Sequence, residues 1–177
     1  MLQASISHFN SKYILEQLNE SDAKEITDYT IEALKERLKE KTISSHEKKF
    51  IESLIKLGEE TLYLFFSFNP AEPGIYLVSK NLKGVMCVAL NTTDKKFIKY
   101  FNSPLVLDLL HIHSFKKGEG THLIGWYKKL QEDLNIPGSL WTEIENNVEY
   151  FKRFGFESLG NLGSNGEYLM KLSIVKQ

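Results

Sequence analysis

Apolar residues recur at helical spacing across 22–41, where Ile26, Tyr29, Ala33, Leu34 and Leu38 fall on one stripe. The spacing predicts a helix from about Asp22 to Lys41, with Ser21 placed to cap it. Before it, Tyr13–Leu18 reads as a strand. Ser44 followed three residues later by Glu47 has the form of a capping box. Phe50, Ile51, Leu54 and Ile55 then give the next helix one buried stripe. After Gly58 the pattern changes. Leu62–Phe68 is rich in aromatics and ends at a Pro/Gly breaker cluster, 69–74; it reads as a strand, with a continued helix as the alternative. Ile75–Val78 and Val85–Leu90 flank the turn-like insert 80–84 and predict a β-hairpin. Lys95–Tyr100 reads as a short strand. Leu105–Ile112 is the most apolar strand, interrupted by one carboxylate, Asp108, and such a continuous run suggests burial on both faces. Leu123, Tyr127, Leu130 and Leu134 repeat at four, three and four, which predicts a helix from Thr121 to about Leu134, ended by Pro137 and Gly138. Ser139–Glu145 alternates as a strand. A short helix at Asn147–Phe154, a loop or short strand at Phe156–Gly166 and a last strand at Tyr168–Ile174 complete the chain. The order implies an α/β or α+β fold, a central sheet covered by helices, with 1–177 as one domain.

Composition narrows the function classes without choosing one. The chain has 177 residues, 42% hydrophobic and 25% charged, which suits a globular domain with its own core. The net charge of -1 gives no basic field for nucleic acid. The longest apolar run, Leu62–Phe66, is too short to span a bilayer, and the N-terminus does not read as a signal peptide. The single cysteine, Cys87, excludes an internal disulfide. Cytoplasmic location is the expectation, with the protein a monomer or homodimer and neither membrane nor nucleic acid as a partner.

The chemistry concentrates in Ser114–Ile124, SFKKGEGTHLI. A strand ends, two lysines and a Gly-x-Gly turn follow, and a helix begins. The first amides of a helix have no internal partner, and with the dipole they favour a phosphate. Glycines at 118 and 120 clear the approach. The alternative is a plain strand-to-helix connection that needs positive φ. Neither the Walker spacing nor the dinucleotide fingerprint fits, since position 123 is Leu123.

Downstream, Asn146–Phe156 reads NNVEYFKRFGF. Strand, Gly-x-Gly turn, helix, strand and this aromatic segment together resemble the GNAT superfamily of acyl-CoA-dependent N-acetyltransferases. That family carries Gln/Arg-x-x-Gly-x-Gly/Ala between its fourth strand and third helix, matched here by Phe115–Gly120. It also carries an Asn-containing helix ending in Tyr-x-x-x-Gly-Phe, matched by Phe151–Phe156. The likeness runs from about Leu105 to Leu172. Phe115 replaces the family's Arg or Gln, with Lys116 and Lys117 as the nearby charges. Phe151 stands at the family's tyrosine, and the adjacent Tyr150 carries a hydroxyl.

The resemblance implies a mixed, mostly antiparallel sheet with a splayed parallel strand pair and about four covering helices. It implies acetyl-CoA as co-substrate, a primary amine as acceptor and no metal. Leu110, His111 and Ile112 would run beside the pantetheine arm. Lys116, Lys117, Gly118, Glu119, Gly120 and Thr121 would hold the pyrophosphate, with Asn147 and Phe151 also toward the cofactor. Tyr150 is the candidate acid. Asp108, His111, His113, Glu143 and Glu145 are candidates for the base, with Asp108 and Glu143 preferred. Strand alternation places Asp108, Leu110 and Ile112 on one face, and Leu109, His111 and His113 on the other. Glu143 and Glu145 would share a face of the next strand. His111 and His113 lack a third ligand for a metal. The resemblance also admits a non-catalytic module that holds CoA or a partner.

Overall fold

The computed structural model describes residues 16–67 and 73–175. Most of the expected first strand, Tyr13–Leu18, lies outside them, as do Phe68 and residues 69–72 of the breaker cluster. The elements in chain order are α1 (Glu20–Arg37), α2 (Ser45–Glu60), β1 (Leu62–Phe66), β2 (Ile75–Ser79), β3 (Gly84–Thr92), α3 (Ile98–Phe101), β4 (Leu105–Ser114), α4 (Glu119–Leu134), β5 (Gly138–Thr142), α5 (Glu145–Lys152), β6 (Phe156–Asn161) and β7 (Tyr168–Leu172). The strands form one mixed sheet in the order β1-β2-β3-β4-β5-β7-β6. Every neighbouring pair is antiparallel except β4 and β5. This is the mostly antiparallel sheet with a parallel strand pair that the family resemblance implied.

Local chemistry sets the helix boundaries. Ser44 caps α2 as expected, its hydroxyl accepting from the Glu47 amide at 3.1 Å. The Glu47 carboxylate reaches Arg37 of α1, 2.9 Å from Nε and 2.8 Å from Nη2, and so ties the two helices. The cap of α1 is Asn19 rather than Ser21. Its carboxamide oxygen accepts from the Asp22 amide at 2.9 Å while its nitrogen donates to the Asp22 carboxylate at 2.7 Å. Residues 95–100 are not a strand. Asp94 accepts from the amides of Lys96 and Phe97, which turns the chain into α3, and Asn102 ends that turn in the left-handed region with φ 49°.

The main core lies between the sheet and helices α2 and α4. Phe50, Leu54, Leu123, Ile124 and Tyr127 meet Leu64, Leu77, Met86, Leu107 and Leu109 there. Each such side chain taken from water contributes about 1.5–3 kcal/mol. Tyr63, Tyr76, Val78, Val85 and Cys87 gather on the reverse face with Ala23 of α1. Thr27 of α1 closes the sheet margin: its hydroxyl donates to the Ala23 carbonyl at 2.7 Å and accepts from the Leu64 amide at 3.0 Å.

Two irregularities in β4 shape everything that follows. The first is a bulge. The register with β3 passes from Cys87 opposite His111 to Val88 opposite Leu109, so Leu110 is left without a partner. Opposed residues share a face. Ile112 therefore lies with Met86 and Leu109 on the helix-covered side. His111 and His113, opposite Cys87 and Val85, join Asp108 and Leu110 on the reverse side. Simple alternation had put Ile112 with Asp108 and the two histidines apart from it; the extra residue inverts the pattern beyond Leu110.

The second irregularity is a fork. Strands β4 and β5 pair at only two positions, Leu107 with Gly138 and Asp108 with Ser139. Beyond them β4 stays with β3 and β5 stays with β7. Tyr127 of α4 sits at the point of parting, where its hydroxyl donates to the Leu107 carbonyl at 2.6 Å. A Cβ at position 138 would collide with that hydroxyl, which is why β5 opens on a glycine.

Candidate functional site

The site has two ends joined by β4. At the upper end the chain leaves β4 at Ser114 and enters α4 at Glu119. The Phe115 amide donates to the Lys83 carbonyl at 2.8 Å, fixing the start of the turn to the β2–β3 hairpin. The Glu119 amide closes it on the Lys116 carbonyl at 3.1 Å. Among the described residues, the amides of Lys117, Gly118, Gly120 and Thr121 donate to no protein acceptor. Four unpaired donors at the positive end of a 16-residue helix make an anion cradle. Gly118 serves conformation: its φ is 89°, and a side chain there would meet only open space. Gly120 serves space: a Cβ would lie 3.1 Å from the Tyr150 hydroxyl and 3.5 Å from Ser114 Oγ. The hollow over these residues is about 550 Å³ and is bordered by Phe115, Lys116, Lys117 and Tyr150.

Charge around the cradle is net positive. Lys116 and Lys117 are exposed on its rim. The Arg153 guanidinium stands over the Tyr150 ring, 5.3 Å from its centroid. Glu119, one residue past the turn, is turned inward. Its carboxylate accepts from Asn81 at 2.9 Å and stands 3.5 Å from His122 Nδ1.

At the lower end lies the fork. The Asp108 carboxylate accepts from the Asn91 carboxamide at 2.7 Å and from the Ser139 hydroxyl. Burial outweighs the Asn91 bond and pushes its pKa up to about 6. Such a carboxylate is ionised at neutral pH and takes up a proton readily. The buried Tyr127 phenol beside it is pushed upward too, by burial and then by the Asp108 charge, and remains a donor. On the reverse face of the sheet, a hollow of about 430 Å³ opens from Asp108 and Ser139 toward Phe97 and Trp141.

The remaining candidates divide between the two ends. Leu110, His111 and Ile112 follow the fork along β4, on the stretch that β5 no longer pairs. Asn147 lies on the opposite lip, donating to Thr142 Oγ1 at 3.3 Å. Tyr150 borders the cradle, whereas Phe151 is buried in the main core, edge-on to Phe156 with centroids 5.7 Å apart. The expectation that Glu143 and Glu145 share a strand face does not hold. β5 ends at Thr142, opposite the first residue of β7, and the Thr142 hydroxyl accepts from the Ile144 amide as the chain turns into α5. Glu143 is exposed in that turn and Glu145 is the first residue of α5. His113 packs edge-on against Phe115 at 4.8 Å. Among the described residues no three His, Cys, Asp or Glu side chains converge as a metal site, and no helix is long and apolar enough to cross a membrane.

Sequence reading did not single out Asn91, Ser139, Tyr127, Arg153 or Trp141 for the site. Tyr127 was visible only as one position of a helical stripe. The others come from separate segments that only the folded sheet brings together.

No protein-family model and no curated protein matches the chain. Similar solved structures include a histone acetyltransferase HPA2 and related acetyltransferase from Corynebacterium glutamicum, 13% identical over 90% of this chain and 95% of that one, with a TM-score of 0.44. A GNAT-family acetyltransferase from Listeria monocytogenes is 17% identical over 87% and 90% of the two chains, TM-score 0.41. The PaiA N-acetyltransferase from Thermoplasma acidophilum, in complex with coenzyme A, is 11% identical over 89% and 96%, TM-score 0.39.

Proposed function

We propose that this chain is an acyl-CoA-dependent N-acyltransferase of the GNAT type, moving an acetyl or other acyl group to a primary amine in a ternary complex. The observation that carries the reading is the fork: a parallel pair registered at two positions and then parted, with a bulge at Leu110 and an anion cradle at the far end of the freed strand. From Leu110 to Lys116 an extended strand spans roughly 20 Å. That reach suits a long, amide-bearing arm lying along β4 with a diphosphate at its end. The unpaired amides of Lys117, Gly118, Gly120 and Thr121 meet the diphosphate, and Lys116, Lys117 and Arg153 add charge. Leu110 and Ile112 offer main-chain groups to the arm.

The reaction then needs little covalent help. The acceptor enters as an ammonium ion and gives a proton to Asp108. Its nitrogen lone pair attacks the thioester carbonyl. The N–C bond forms, the nitrogen gives up its second proton, and the C–S bond breaks as the departing sulfur takes that proton up, leaving the amide and the free thiol; the first proton passes from Asp108 to solvent. Asp108 is the candidate base and a backbone N–H near Leu110 the stabiliser of the oxyanion, while the Tyr150 hydroxyl, which borders the cradle, serves the diphosphate rather than the departing sulfur. Holding both reactants at the fork lowers the barrier by several kcal/mol in favourable cases. Glu143, exposed beyond the end of β5, is a weaker candidate than Asp108.

A second reading is a CoA- or partner-binding module without turnover. It is favoured by Phe151, which puts a buried hydrocarbon ring at the family's tyrosine position. Thermal shift with acetyl-CoA tests the cradle, and thiol release across a panel of primary amines tests transfer. Stabilisation by acetyl-CoA with amine-dependent thiol release supports the enzyme. Stabilisation without release from any amine selects the module, and no stabilisation at all refutes both.

A further inference from the structure

We infer that the hollow on the Asp108 side of the sheet is the acceptor site, and that it takes a primary amine held by a short stem to an aromatic body. The inference rests on the acyl-transfer reading for its chemistry, but the hollow stands on observations of its own. It is small, about 430 Å³, at the lower end of the range for small-molecule pockets and too short to seat a run of peptide. Its outer wall is aromatic. Phe97 stands edge-on to Trp141 with centroids 5.5 Å apart, and Trp141 is 43% exposed although it sits on a central strand. Phe101, Val106 and Leu169 form a buried apolar patch on the same side. A ring packing against the Phe97–Trp141 pair from inside the hollow would complete an aromatic cluster already two-thirds built.

The inner end is polar. Asp108, Asn91 and Ser139 border it. Thr93 also borders it; the residue is 4% exposed and its hydroxyl has no hydrogen-bond partner among the described residues. A buried hydroxyl without a partner is destabilising, and a polar group on a ligand would satisfy it. The hollow offers a single carboxylate at depth. Asp94, the other acid on its lining, accepts from the Lys96 amide and lies 3.8 Å from Lys96 Nζ. One deep anion and an aromatic mouth fit a monoamine with an apolar body. A polyamine would need further anions along its length, and a peptide lysine would need an open groove.

Trp126 and Trp141 are the two tryptophans of the chain, so Trp126→Phe leaves Trp141 as the sole emitter beside the hollow. Titration of that variant with 2-phenylethylamine, spermidine and a lysine-containing peptide reads binding directly, without turnover. 2-Phenylethylamine should change Trp141 emission saturably. Adding Phe97→Ala should weaken that binding by about tenfold, and Phe97→Leu, which keeps an apolar wall, by less. In the thiol-release assay 2-phenylethylamine should then be the preferred acceptor. Saturable change with spermidine or the peptide alone, no change with 2-phenylethylamine, or equal binding in all Phe97 variants overturns the inference. Acetyl-CoA thermal shift, run in parallel, separates the two claims. Its absence beside intact amine binding sinks acyl transfer and keeps the ligand class; its presence without amine binding does the reverse.

Discussion

Replacing Asp108 with asparagine is the sharpest test of the fork. The carboxyl group titrates ordinarily near 3.8 and is raised to about 6 by burial. At 1.36 kcal/mol for each tenfold change in proton affinity, the difference amounts to about 3 kcal/mol. Its sign follows from proton binding. Between pH 4 and pH 6 the folded chain keeps a proton that the unfolded chain releases. Stability from this group is therefore greatest below about pH 4, falls as pH rises through the window, and stays low above pH 6. Asparagine carries no such charge. It can still accept from Asn91 through its oxygen and meet Ser139 through its nitrogen, so both contacts of Asp108 survive the change. Urea unfolding of both proteins at pH 4 and pH 7 isolates the effect, because other groups facing the fork, such as the Tyr127 phenol and the Asp94–Lys96 pair, are common to both. The variant should gain about 3 kcal/mol relative to the parent on going from pH 4 to pH 7, roughly 6–12 °C in melting temperature for a chain of this size. The parent's kcat/KM should rise with pH through about 6, and that limb should vanish in the variant together with most of the rate. A stability difference that does not vary with pH would refute the assignment of a buried carboxylate with a raised pKa at this position.

Three further substitutions probe the other parts. Gly120→Val would push a side chain into the Tyr150 hydroxyl and fill the cradle, so acetyl-CoA affinity by calorimetry should fall more than tenfold while urea stability changes by about 1 kcal/mol or less. Tyr150→Phe removes a hydroxyl that borders the cradle, so it should weaken acetyl-CoA binding severalfold and leave kcat nearly unchanged; a fall in kcat at unchanged affinity would return the hydroxyl to the acid's role. Gly138→Ala should cost about 2–4 kcal/mol in urea unfolding, because the new methyl displaces Tyr127 from the Leu107 carbonyl, and adding Tyr127→Phe should recover part of it.

What could be read from the chain was what its neighbours along the chain decide. The capping serine of α2, the stripe of α4, the β2–β3 hairpin and the lysine-glycine turn are all local devices, and each stands where the pattern put it. Residues 95–100 were misread because the strand-like Phe97, Ile98 and Tyr100 are overruled by Asp94 and Asn102, which turn the chain at either end. The bulge at Leu110 left no mark in β4 itself. It exists because β3 meets β4 in a shifted register, and it decides which side of the sheet every later residue of β4 faces. The same holds for Glu143: β5 stops at Thr142 because its partner β7 begins at Tyr168, a limit set by a segment more than twenty residues away. On α5 the helical step separates Tyr150 from Phe151, placing one at the cradle and the other in the core.

Tyr127 acts as a stop in a zip. Because its phenol holds the Leu107 carbonyl, strands β4 and β5 cannot close further along their length, and the depth of the cleft is set by one side chain on a helix that also begins at the cradle. Any tilt of α4 would then move both ends together, so the distance from cradle to fork is held constant by a single rigid rod. A family of variants that shifts this phenol by one helical turn would move the fork and so lengthen or shorten the cleft while leaving the cradle in place; on the acyl-transfer reading, that is a handle on chain length separate from diphosphate affinity.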